Sequence, residues 1–133
     1  MNLRHNSTFA ATQSCNVLPQ SGSLGIADAR LGPGDALLIR TGRWARRADK
    51  GPWNVGQNAA GLHASVGEWL KARGVALIGS DDALDVVPSL VEGINLPVHT
   101  LAITALGLNI LDNQDLEALG TLAAAQKRWE FML

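Results

Sequence analysis

His99 and Asp112 are the side chains of this sequence whose types and placement best suit chemistry. A neutral imidazole and a carboxylate both ligate divalent transition ions, and a catalytic zinc takes three protein donors while keeping one position for water. Two donors fall short of that number. The further candidates are Asp81, Asp82, His63, His5 and Cys15, none of them at a diagnostic spacing. Without a metal, a histidine and an aspartate at such positions cap helix ends, and spacing alone leaves both readings open. No GxSxG, Walker or GxGxxG pattern occurs, so the sequence offers neither a nucleophile elbow nor a phosphate loop as an alternative.

The stretch PVHTLAITALGLNILDNQDL, residues 97–116, positions the pair. Pro97 suits the first helical position, Val98, Leu101, Ala102 and Ala105 recur at the spacing of one helix face, and Gly107 ends the helix. Residues 108–111 then read as a strand. A helix of about nine residues advances about 13 Å, and a four-residue strand returns about 13 Å. Packed antiparallel, the two elements bring His99 and Asp112 to one sheet edge. Open α/β sheets bind their ligands at such an edge, beyond the carboxyl ends of the strands.

The rest of the chain supplies the sheet. Residues 1–30 are polar and aperiodic, with Pro19 and an SGSLG segment, and are expected to be mostly irregular, with one helical turn near 26–30. ALLIR at 36–40 follows the LGPGD turn and reads as a strand. RWARRADKGPW, 43–53, reads as a surface loop that interleaves Arg43, Arg46, Arg47 and Lys50 with Trp44 and Trp53; the tryptophans are expected to pack a pocket wall or a subunit contact. From Gly61 to Gly74 the pattern is helical, with Val66, Trp69 and Leu70 on one face and His63 at its amino-terminal edge. His63 is open to an active-site or a capping role. VALIG at 75–79 is a second buried strand, and SDDALD follows it, which places Asp81 at the carboxyl edge as a ligand or a cap. Residues 86–95 connect. A helix over 116–125, capped by Asn113 or Asp115 with Leu116, Leu119, Leu122 and Ala123 inward, leads into a last strand, WEFML. This alternation predicts an α/β fold with a mainly parallel sheet and flanking helices.

Composition narrows the function class. With 133 residues, 47% hydrophobic and 17% charged, the chain is sized for one core. A net charge of −1 supplies no field for nucleic acid or an anionic membrane, and the expected partner is a small molecule. No secretory signal pattern or membrane-length apolar run occurs, so the expected location is cytoplasmic. The single cysteine, Cys15, reads as an ordinary thiol.

The series PGDALLIRTGRWARR, GPW, AGLHASVGEWL, GVALIGSD, PVH, ILDNQDLEAL and RWEFML resembles the carboxyl-terminal half of the cyclase family, metal-dependent hydrolases that include kynurenine formamidase. The resemblance covers roughly residues 31–133 and leaves 1–30 outside it. It implies a partial swivelling β/β/α domain, assembly as a homo-oligomer or with a missing amino-terminal half, and a zinc or manganese centre that hydrolyses an amide or a cyclic amide or ester. An arylformamidase-like activity of that kind belongs to tryptophan catabolism. The resemblance further implies that His99 and Asp112 are metal ligands, Asp112 standing where formamidases carry a glutamate. The family's upstream HxGTHxDxxxH stretch, which supplies the other ligands and a proton-transfer histidine, has no counterpart here, and the family continues past WEFML. The sequence is therefore expected to be a truncated hydrolase, the alternative being a catalytically inactive fragment that serves as an oligomerising or binding module.

Overall fold

The computed structural model describes residues 7–11 and 31–133. Its centre is a five-stranded sheet in the order β4-β3-β2-β1-β5, built from β1 (Ser7–Ala11), β2 (Ala36–Arg40), β3 (Leu77–Ser80), β4 (Asn109–Leu111) and β5 (Glu130–Phe131). The first four strands run parallel and β5 joins β1 antiparallel. The α/β class and mainly parallel sheet expected from the alternation are those observed.

Helices cover both faces, because β2 is apolar on both sides. Leu37 and Ile39 point to one face, where they meet Ile78, Val66 and Leu70 of α2 (Val66–Arg73), and Val98 of α3 (Pro97–Thr100). Leu38 points to the other face and packs with Leu116 and with Ala123 of α4 (Glu117–Gln126). Successive residues of a strand face opposite ways, so the unbroken run Leu37, Leu38, Ile39 is what a strand buried between two helical layers requires. α2 ends at Gly74 in the left-handed region, φ 65°, and its N–H bonds back to Leu70. A side chain at that position would also press within 3.1 Å of Pro33, so the cap and the close approach both favour glycine.

Five expectations need correction. The helix expected from Gly61 begins only at Val66, because Ala59 and Leu62 are drawn into bridges with Val87 and Asp85. Residues 1–30 were expected to be mostly irregular, yet 7–11 form a strand held between β2 and β5. STFAA has no apolar alternation to announce it, and its strand identity comes from backbone pairing on both sides; the expected helical turn at 26–30, and His5 and Cys15, lie outside the described residues. Residues 43–53 were expected to be a loop, but Arg43–Lys50 form a helix, α1, that buries no residue. Its stability comes from its ends: the Asp81 carboxylate accepts from the N–H of Gly42 at 2.9 Å and of Arg43 at 3.1 Å. The helix over 97–106 is not uniform, because α3 passes into a π-helical segment, Leu101–Leu106, closed by Gly107. Leu122, expected to face inward, is 53% exposed, whereas Leu116 and Ala123 are buried.

Candidate active site at the carboxyl edge

Because β2, β3 and β4 are parallel, the residues that follow them emerge on one edge: Thr41 after β2, Asp81 after β3 and Asp112 after β4. The chain running from Asp81 to Asp85 fixes this edge. Asp81 is fully buried and accepts from the N–H of Thr41 at 2.6 Å and its hydroxyl at 2.8 Å, besides the two amides that open α1. All of these partners are structural, so Asp81 serves as a cap, for α1 and not for the turn that follows it. Asp82 accepts from Arg43 at 3.0 Å, and burial pushes its carboxyl above the ordinary value against the lowering effects of the Ala83 N–H and Arg43. The Asp82 carbonyl accepts from the N–H of Asn113 at 3.2 Å, which ties the β3 end to the residue after Asp112.

Asp85 is the residue that sequence reasoning missed. It is fully buried and accepts from the Val98 N–H at 2.6 Å and the His99 N–H at 3.2 Å, capping α3. The same carboxylate bonds His99 Nδ1 at 2.6 Å. On the other side of the ring, His99 Nε2 lies 2.8 Å from Asp112 Oδ2. The helix and strand of residues 97–116 thus bring His99 and Asp112 together at the carboxyl edge. Exposure rises along the chain of three, from a buried Asp85 through His99 to Asp112, whose side chain is 35% exposed. Burial by itself would lower the His99 pKa, but the hydrogen bonds and charges of Asp85 and Asp112 outweigh it and hold the imidazole pKa above its ordinary value.

The loop that carries Asp85 is clamped from residues 59–62. Leu62 N–H donates to Leu84 and Val86 N–H to Leu62, at 2.6 and 3.1 Å. A Cβ on Gly61 would overlap the Asp85 carbonyl, so only glycine permits this approach. The signal for Asp85 was a single carboxylate in the apolar run ALDVV: a buried acid requires partners, and here they are an imidazole and two amides. Of the other candidates, His63 turns its Nδ1 to the Ser65 N–H at 3.2 Å, ahead of α2, and shares no hydrogen bond with either member of the pair.

The donor set suits a divalent transition ion. Metal-ligating histidines usually give their second ring nitrogen to a carboxylate, as His99 does to Asp85, and an ion can then take the place of the Nε2 proton beside Asp112. Asp85 lies on the far side of the ring, and among the described residues no group of three or more metal-binding side chains converges. These residues therefore offer two donors and an orienting carboxylate.

Comparison with known proteins bears on the fold that carries these residues. Residues 23–85 match the family described as Putative cyclase. A solved structure, described as the crystal structure of a novel cyclase, superposes with a TM-score of 0.72 at 24% identity, covering 96% of this chain and 46% of that one. No curated protein matches. The chain is thus similar to the cyclase family over residues 23–85, and its fold is that of the solved cyclase. It spans 46% of that solved relative's length. No helix among the described residues is long and apolar enough to cross a membrane.

Proposed function

We propose that this chain supplies the His99 and Asp112 side of a divalent-metal centre in a hydrolase of amides or of cyclic amides or esters. The observation that carries this reading is the linked series Asp85, His99, Asp112, in which a buried carboxylate occupies Nδ1 and leaves Nε2 beside a second carboxylate at the open edge. Zinc or manganese, once bound, supplies Lewis acidity that polarises a substrate carbonyl and acidifies water. His99 contributes Nε2 as a neutral donor, Asp85 keeps the proton on Nδ1 and makes the ring a stronger base, and Asp112 contributes a negatively charged oxygen. A third donor comes from outside the described residues, where His5 and Cys15 lie, or from a second polypeptide, be it another copy or a separate amino-terminal half. A small formyl amide of the arylformamidase type, met in the cytoplasm, is the proposed substrate.

The test is equilibrium zinc and manganese binding by the purified protein, by His99→Ala and by Asp112→Ala, with N-formylkynurenine hydrolysis followed in parallel. The expected result is metal-dependent turnover in the unmodified protein and at least about tenfold weaker metal binding in each variant. Metal binding unchanged by both substitutions overturns the site. Binding that depends on both residues without turnover of any formyl amide overturns hydrolysis by this chain on its own and favours the inactive binding module.

A further inference from the structure

A cleft of about 860 Å³ opens between Val55 and the connecting segment that includes Val87, Pro88, Val91 and Ile94. Its walls are chiefly apolar, yet two ionisable side chains line it, Asp82 and Glu92, and both are acidic. Asp82 is 1% exposed and stands where two clefts meet, since it also lines a smaller one of about 180 Å³ beside Arg43 and Arg46. Arg43 reaches Asp82 from that smaller cleft and bonds Oδ1, which also takes the Ala83 N–H at 2.9 Å. Both bonds end on one oxygen, leaving Oδ2 for a ligand. Burial disfavours the ionised form of this carboxyl group against the pull of Arg43 on Oδ1, and a second cation on Oδ2 would favour that form further. Apolar side chains on the connecting segment stay open to solvent, Leu90 at 64% and Ile94 at 43%, as suits a wall awaiting an apolar body.

We propose that this cleft is a binding site for a small organic cation, an alkyl- or arylammonium whose apolar part lies against Val87, Val91 and Ile94 and whose N–H groups reach Asp82. The pairing rule is one of charge and shape: an apolar cavity with a few convergent polar groups selects by those groups, and here the charged ones carry a single sign beside the neutral Gln57, Ser89 and Asn95. An anion of the same size meets two carboxyl groups, while Arg43, the cation behind Asp82, is held on its Oδ1. The site goes beyond the hydrolase reading, because nothing in it calls on a metal.

The experiment is an NMR titration of the full chain in the presence of EDTA with benzylammonium, benzyl alcohol and phenylacetate as probes, reading the methyl resonances of Val87 and Val91. The expected result is saturable binding of benzylammonium, with benzyl alcohol and phenylacetate each at least about tenfold weaker, the scale of one charge-assisted hydrogen bond. Asp82→Asn is expected to weaken benzylammonium about tenfold while leaving benzyl alcohol unchanged. Glu92→Gln, at an exposed position that does not bear on folding, is expected to weaken benzylammonium about twofold and serves if Asp82→Asn does not fold. Phenylacetate binding as tightly as benzylammonium, benzylammonium binding that neither variant changes, or no saturable shift overturns the site. Since EDTA removes any metal, these outcomes are independent of the hydrolase test.

Discussion

At the scale of single residues, Asp85 decides whether His99 can be used at all. Its two oxygens serve two backbone amides and one ring nitrogen in a position with no access to water. Removing the carboxylate strands those three partners, and breaking a buried pair in this way costs about 3–5 kcal/mol. Asp85→Ala is therefore expected to lose stability on that scale in urea denaturation, whereas Asp85→Asn, which keeps one acceptor oxygen, loses less. A loss below about 1 kcal/mol for Asp85→Ala would mean that the three donors find water. The same contacts make stability depend on pH. The folded-state pKa of His99 is raised above 6.5, so the contribution of its two ion pairs is complete below about pH 6.5 and disappears as pH rises through the raised value. Urea midpoints of the metal-free protein should fall over that window, and His99→Gln should flatten this part of the profile.

At the scale of elements, α1 shows what periodicity can and cannot reveal. RWARRADK contains good helix formers, but none of its residues is buried, so no apolar stripe marked it and the sequence reading was a loop. The helix is held from outside, by Asp81 at its start and by the Trp44 indole N–H on the Gln114 carbonyl at 2.7 Å. Asp81→Ala leaves the amides of Thr41, Gly42 and Arg43 without their buried acceptor, an expected cost of about 2–3 kcal/mol. Hydrogen exchange at residues 46–50 should then quicken while the β2 and β3 amides keep their protection; uniform loss across the sheet would place the Asp81 contribution in the core instead. Where an element carries its own pattern, the sequence read it well. Pro97 and Gly107 bounded a helix by their backbone chemistry, and Leu37 to Ile39 could only be a buried strand. The antiparallel return of 97–112, which joins His99 to Asp112, followed from rise per residue alone. Asp85 did not follow, because its placement depends on Gly61 and Leu62, far away in sequence and joined to it through backbone contacts that no side-chain period records.

At the scale of the molecule, sheet order was the least legible feature. The expected alternation supplied four strands, but β1 takes the place between β2 and β5, and the antiparallel β5 follows from where α4 delivers the chain on the second face. That order leaves β4 and β5 as the outer strands of the described sheet, both short, β4 with three residues and β5 with two. Apolar side chains gather near each: Leu111 on β4 is 40% exposed with Ile103 of the neighbouring π-helical segment at 58%, and Met132 beside β5 is 83% exposed. A short strand at the edge of a sheet with exposed apolar neighbours is a template for another chain. The expected consequence is concentration-dependent self-association in sedimentation velocity. A charge at the β4 edge opposes burial there, so Leu111→Lys should shift the distribution toward monomer, and Met132→Lys should do the same if the β5 edge is the one used. A sedimentation profile that stays monomeric across the accessible concentration range, or association indifferent to both substitutions, would show that neither outer strand is the contact.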